Sequence, residues 1–297
     1  MNSRTVQVVT AFAIVYVVWG STYLAIRIGV AHLPFALFAG VRFAIAGLLM
    51  FAYARLRGGK LPSSAVDWRN IAVSALLMLV GGNGLVTWGE QWIESNQAAL
   101  LVATSALWMA GLGTLGSQGE RINPATLVGL LLGFGGVAVL VSSGLHLNTA
   151  PLKAYAGISL APLMWAGGSI WSRRHPVGGT AIMTAALQTL IAGGVMTTLG
   201  LALGETAHWS WDAKSMAVLA YLIVFGSCIA YGAYFWLVHE VTPSRLGTYA
   251  YVNPAIAVLL GWWFLDERLN QTQVIGTVII LAGVVVVTLA QRKKGVH

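Results

Sequence analysis

The sequence predicts an all-α integral membrane protein of ten transmembrane helices, arranged as two inverted-topology five-helix repeats. Three observations carry the prediction. Of 297 residues, 57% are hydrophobic and 9% charged, against about 25% charged in a soluble domain, too little to solvate a globular surface. Apolar runs of about 20 residues, enough to cross a bilayer, recur along the chain with short connections. Elements of the first half return in the second at a nearly constant offset.

The runs are read as helices, because in lipid each segment must satisfy its own backbone. Span 1, residues 6–28, is read as a true span and not a cleaved leader. It ends in the polar stretch WGSTYLAIR at Trp19–Arg27, where Trp19 and Tyr23 lie one turn apart. Span 2, 33–55, carries one deep charge, Arg42. Span 3, 69–89, puts Asn83, Thr87 and Glu90 at i, i+4 and i+7, on one face. Span 4, 95–116, sets Thr104 and Trp108 one turn apart. Span 5, 124–143, carries Gly129 and Gly133, a small-xxx-small pair suited to close packing within or between chains. Span 6, 153–173, repeats the theme of span 1 as WAGGSIWSR at Trp165–Arg173. Span 7, 180–203, holds Gln188. Span 8, 215–238, holds Cys228, which has no second cysteine to pair with, and Tyr231 near its centre. Span 9, 244–264, sets Tyr249 and Asn253 one turn apart, just before Pro254. Span 10, 271–290, closes the chain.

Basic residues fix the orientation. With the N-terminus cytoplasmic, Arg4, Arg55, Arg57, Lys60, Arg69, Arg121, Arg173, Arg174, Arg245, Arg292, Lys293 and Lys294 fall inside. Only Lys153, Lys214 and Arg268 fall outside, the asymmetry of the positive-inside rule. Both termini are then cytoplasmic. GERINPATLVG at Gly119–Gly129 aligns with DERLNQTQVIG at Asp266–Gly276, and Gly136 with Gly283, 147 positions on. Trp19 aligns with Trp165, and Arg42 with Gln188, 146 positions on. The repeat units are residues 1–148 and 149–297. Five spans per unit is odd, so the second unit enters the membrane from the opposite side, the architecture of many secondary transporters.

Polar side chains within spans are costly and mark function by default. The candidate substrate-binding set is Trp19, Tyr23, Asn83, Thr87, Glu90, Thr104, Trp108, Trp165, Tyr231, Tyr249 and Asn253. Aromatic faces suit apolar groups and an ammonium, while Asn and Thr suit a carboxylate. Gly20, Ser21, Gly167 and Gly168 read equally well as packing seams. Glu90 reads as a group for a substrate amine or a coupling proton, or as an interfacial acid in water; its boundary position favours water. Arg42 reads as an anion ligand or a structural donor, and its peripheral helix favours structure. Arg27 is expected to snorkel outward. Trp88, Trp92, Trp209, Trp211, Trp262 and Trp263 read as interfacial belt residues. No Walker loop and no metal-ligand spacing occurs, so no enzyme activity, cofactor or metal is expected. The formal charge of +8 is scattered over short loops, which points to topology and not to nucleic acid. The expected partners are the bilayer and a small molecule. Oligomeric state is not readable.

WGSTY in span 1, GNG at Gly82–Gly84 and YAYVNPAIAVLLGWWFLDE at Tyr249–Glu267 resemble the drug/metabolite transporter superfamily, EamA type. Together with the two five-span units, the resemblance covers essentially the whole chain. It is strongest to the bacterial YddG/YedA-like branch, which includes amino-acid exporters. The resemblance implies a cytoplasmic (inner) membrane location, a central cavity lined largely by spans 1, 3, 4, 6, 8 and 9, and export of small metabolites, amino acids including aromatic ones foremost. The alternative is efflux of lipophilic cations, which asks for an acid at a span centre; none is predicted. Sugar phosphates ask for several deep basic groups, and Arg42 stands alone. One departure concerns AT-x-P in span 4: this chain reads Ala103-Thr104-Ser105-Ala106, with alanine in place of proline, while span 9 keeps Pro254. The expectation is unequal gating of the two halves.

Overall fold

The structure, a computed structural model, describes residues 3–113, 124–146, 150–241, 246, 247 and 249–292. The GERIN loop with Glu120, Arg121 and Asn123, the boundary between residues 148 and 149, and Arg245, Lys293 and Lys294 lie outside the described residues. Helices dominate, with no strand among the described residues. In chain order they are α1 Ser3–Val30, α2 Phe35–Leu56, α3 Ala65–Gly89, α4 Ser95–Val102, α5 Ser105–Leu112, α6 Pro124–His146, α7 Leu152–Arg174, α8 Ala181–Ala202, α9 Ala213–Glu240, α10 Tyr249–Leu265 and α11 Gln271–Arg292. Five of them, α1, α2, α3, α8 and α9, are long and apolar enough to cross a membrane. Shorter apolar stretches occupy α6, α10 and α11. Leu48, Leu49 and Tyr53 on α2, and Leu127, Val128 and Leu131 on α6, stand exposed. Apolar faces of that extent suit lipid, not water.

Two helix N-termini are capped by side chains distant in sequence. Asp266 takes a left-handed conformation (φ 51°), which stops α10 and turns the next residue back. Glu267 then accepts hydrogen bonds from Ser95 N–H (3.0 Å), Ser95 Oγ (2.7 Å) and Asn96 N–H (3.1 Å), capping α4. Glu205 caps α2 through Leu37 N–H at 2.7 Å. A carboxylate there satisfies donors that the helix leaves open and meets the positive end of its dipole.

The fourth expected span is broken between α4 and α5. Thr104 Oγ1 donates to Leu101 O (2.7 Å), and Leu107 N–H donates to Thr104 O (2.9 Å), a tight three-residue closure. A threonine hydroxyl that takes a backbone carbonyl bends a helix. Loss of the proline at Ala106 therefore does not leave this segment straight, whereas α10 continues through Pro254.

Close packing follows the glycines. α2 and α8 run antiparallel: a Cβ on Gly47 would lie 2.8 Å from Leu190 N, and one on Gly193 would lie 2.5 Å from Ala44 N. These contacts are reciprocal, since Gly193 follows Gly47, and Leu190 follows Ala44, by 146 positions. α6 and α11 repeat the pattern, with Gly136 against Ile280 N (2.6 Å) and Gly283 against Gly129 O (2.6 Å). Between these pairs, α1 packs on α9 and α10, and α7 packs on α3 and α5. π-helical stretches interrupt α3 at Leu76–Asn83 and α9 at Leu222–Ala230.

Candidate functional site

Both π-helical stretches border one cavity. It is lined by Trp19 of α1, Arg42 and Phe43 of α2, Leu79 and Asn83 of α3, Trp165 of α7, Thr189 of α8, and Gly226, Ser227 and Tyr231 of α9. A π turn breaks the regular backbone ladder and often marks a functional position. Here the carbonyl of Gly226 accepts from Trp19 Nε1 at 3.2 Å. The cavity measures about 10 Å³, room for about one water molecule.

An aromatic cluster borders it. Trp19 meets Trp165 edge-on at 5.3 Å between ring centroids, Tyr234 at 4.8 Å and Tyr249 at 5.9 Å. Trp165 Nε1 donates to the Tyr234 hydroxyl (2.9 Å), which also bonds Ser169 Oγ (2.9 Å). Tyr249 and Ser105 share a hydrogen bond of 2.9 Å. Tyr231 donates to Gln188 Oε1 (2.6 Å), and Gln188 Nε2 donates to Ser74 Oγ (2.6 Å). Arg42 Nε donates to Ser227 Oγ (2.8 Å) and Nη1 to Asn83 Oδ1 (3.3 Å), with the guanidinium 5.1 Å from the Phe43 ring centre.

Of the sequence candidates, Trp19, Asn83, Trp165 and Tyr231 line this cavity, and Tyr249 stands behind Trp19. Thr87 is buried and bonds the Asn83 carbonyl, one turn behind the lining. Tyr23 packs in a different apolar cluster, beside Ile93 and Leu101. Thr104 forms the α4–α5 break, and Trp108 packs on Phe134. Asn253 is buried, with neither amide atom hydrogen-bonded among the described residues. None of these five joins the cavity lining. Gly20 is a packing seam, since a Cβ there would lie 2.7 Å from Ile256, whereas Gly167 faces open space.

Glu90 corrects the expectation of an acid in water. It is 0% exposed, and neither carboxyl oxygen has a partner among the described residues. Its carbonyl accepts from the part-buried Arg27 Nη1. Trp211, Trp262 and Trp263 are exposed, as belt residues would be, but Trp88 packs on Trp92 at 5.1 Å. Sequence reasoning missed Tyr234, Ser227, Thr189 and Phe43. Tyr234 was within reach, three residues from Tyr231 and so on the same face. At the N-terminus of α9, outside the helix, the Ser215 hydroxyl and N–H and the Ser210 hydroxyl hold the Asp212 carboxyl down to about 2.

A model of the EamA-like transporter family matches residues 7–142 and again residues 152–289. The chain is 38% identical to the inner membrane transporter YedA of Escherichia coli (strain K12), over 93% of this chain and 89% of that one. It is 24% identical to a probable amino-acid metabolite efflux pump of the same organism, over 91% of each. A crystal structure of a protein of 24% identity aligns with a TM-score of 0.67, over 98% of this chain and 99% of its own, which shows a shared fold.

Proposed function

The chain belongs to the EamA-like transporter family, and we propose that it is an inner-membrane exporter of small metabolites, chiefly amino acids including aromatic ones. It works by alternating access between two inverted five-helix repeats, residues 1–148 and 149–297, that together make ten transmembrane helices. The antiparallel, reciprocal α2–α8 and α6–α11 contacts support the inverted relation, because a two-fold axis makes residue i meet j and the equivalent of j meet the equivalent of i. The double match of the family model, once in each half, supports the duplication.

One observation carries the substrate reading. The cavity between the halves combines indole and phenol faces with hydrogen-bonding Asn83, Ser227 and Thr189. Such walls match a molecule with an apolar side chain and a polar backbone end. At about 10 Å³ the cavity admits no amino acid, so substrate entry requires it to widen. Trp19, Asn83, Trp165 and Tyr231 are the contacts proposed for the open state, with Tyr249 and Thr87 behind them.

A second reading, efflux of lipophilic cations, draws on one observation, the buried and unpartnered Glu90. Counterflow into proteoliposomes loaded with unlabelled amino acid separates the two. Accumulation of labelled phenylalanine, leucine or threonine, unaffected by a pH gradient, supports amino-acid export by exchange. Accumulation of tetraphenylphosphonium alone, driven by an inside-acid gradient, replaces that reading with cation efflux.

A further inference from the structure

We propose that Arg42 is the carboxylate-recognition residue of the cavity, so that the substrate is a solute carrying a carboxylate. This rests on the amino-acid reading above and names which protein group would read its acid end.

Arg42 is 3% exposed in the third turn of α2, whose other charge, Arg55, lies in its last turn. A charge within a membrane helix is costly and marks function by default. Such a group is ordinarily matched by an acid. Arg42 is not: its hydrogen bonds go to two neutral oxygens, Ser227 Oγ and Asn83 Oδ1. Among the described residues no carboxylate oxygen lies within ion-pair reach of it, and Nη2 has no hydrogen-bond partner. Neither Glu90 carboxyl oxygen has a hydrogen-bond partner among the described residues.

The facing helix shows that packing alone does not ask for a charge here. Gln188 stands 146 positions after Arg42, on the partner helix of the α2–α8 pair, equally buried. Both ends of its amide are used, by Ser74 and Tyr231. A neutral amide thus fills the equivalent place with its bonds closed, while position 42 holds a cation with bonding capacity left over. That cation lines the cavity together with Trp19, Trp165 and Tyr231. A guanidinium presents its donors in a planar fork that fits a carboxylate in two parallel bonds. The aromatic walls lower the local polarity, which strengthens such a pair.

The test uses the full-length protein in proteoliposomes and in detergent, with Arg42→Gln and Arg42→Lys beside the wild type. Arg42→Gln copies the residue that the facing helix already accommodates, and Arg42→Lys keeps the charge but loses the fork. Melting midpoints confirm that each variant is folded; should Arg42→Gln fail to fold, Arg42→Lys carries the comparison. The ligands are L-phenylalanine, its decarboxylated form phenethylamine, and 3-phenylpropionate, which lacks the amine. Expected is a preference for phenylalanine over phenethylamine of about tenfold or more in the wild type, the scale of one charge-assisted pair. That preference collapses in Arg42→Gln and falls partway in Arg42→Lys. Phenylalanine handled equally by wild type and Arg42→Gln overturns the proposal and leaves amino-acid export standing. Arg42-dependent handling of 3-phenylpropionate with no handling of phenylalanine supports the carboxylate site and overturns the amino-acid reading. Handling of phenethylamine alone overturns both.

Discussion

Gly193 and Gly194 are neighbours in α8 with opposite surroundings, and alanine at each separates packing from propensity. A Cβ on Gly193 would sit 2.5 Å from Ala44 N and 2.7 Å from Ala44 Cα, both backbone atoms of α2. That is about 1 Å inside the favourable carbon contact of ~3.5–4.0 Å, and backbone cannot rotate away. A Cβ on Gly194 would meet nothing within 4 Å. Alanine is favoured over glycine in a helix by about 0.8–1 kcal/mol, the same in both variants, so it cancels in their difference. What remains is the overpacking cost at Gly193, about 1–3 kcal/mol. For a chain of this size each kcal/mol moves the melting midpoint by about 2–4 °C. Gly194→Ala should therefore melt about 2–12 °C above Gly193→Ala in detergent, read by scanning fluorimetry. Because Ala44 follows Arg42 and Phe43, both cavity-lining, Gly193→Ala should also slow transport. Equal midpoints, or a higher one for Gly193→Ala, would refute the close α2–α8 packing and the reciprocity argued from it.

Three further outcomes follow from other parts of the fold. Glu267→Gln cannot accept from all three donors at the α4 N-terminus and should lower the melting midpoint by about 2–12 °C, well beyond Glu94→Gln, whose half-buried carboxyl accepts from Gln97 Nε2 at 3.2 Å. Asp212, held down to about 2 by Ser215 and Ser210, contributes stability present above the ordinary carboxylate pKa of about 4 and lost as pH falls toward 2. Unfolding midpoints at pH 5 and pH 2.5 should then differ more for the wild type than for Asp212→Asn. Ala106→Pro should cost far less than the ~3 kcal/mol of a proline inside a helix, because the Ala106 N–H makes only a 3.4 Å bond to Ala103 O; Leu100→Pro, within α4, is the comparison, by yield and midpoint.

Much of this was legible in the chain because it was local or repeated. Trp19 and Trp165 follow from a fixed offset, Asn83 from its helical spacing to Thr87 and Glu90, and Tyr231 from its central place in span 8; all four line the cavity. Glu90 was misread because hydropathy locates the end of a span but not what covers it. Its burial comes from elsewhere: Arg27 reaches its carbonyl, and Gly89 before it lets Ile158 of α7 approach closely. The caps by Glu205 and Glu267 were hidden for the same reason, since their donors lie 168 or more positions away. Thr104 was assigned to substrate because its spacing to Trp108 is helical, yet its hydroxyl is used where the helix stops.

On the alternating-access reading proposed above, the Tyr234 hydroxyl helps to hold the closed state. Tyr234 OH accepts from the buried Trp165 Nε1 and bonds Ser169 Oγ, while its ring packs on Trp19 and Tyr249. Tyr234→Phe keeps the ring and removes only the hydroxyl, leaving the indole N–H without that partner in the closed state. A buried donor deprived of its acceptor costs about 1–3 kcal/mol. In an open state water reaches the indole and supplies the missing bond, so the penalty falls on the closed state alone. The equilibrium then shifts toward open by about 5- to 150-fold. A cysteine at Asn83, in a background where Cys228 is alanine, reports the shift through its rate of maleimide labelling in membranes. Labelling should accelerate in the Tyr234→Phe variant and slow again when substrate occupies the cavity. A rate unchanged by loss of the hydroxyl would mean that the Trp165–Tyr234 bond persists through opening, and that the aromatic cluster is a fixed wall and not the gate.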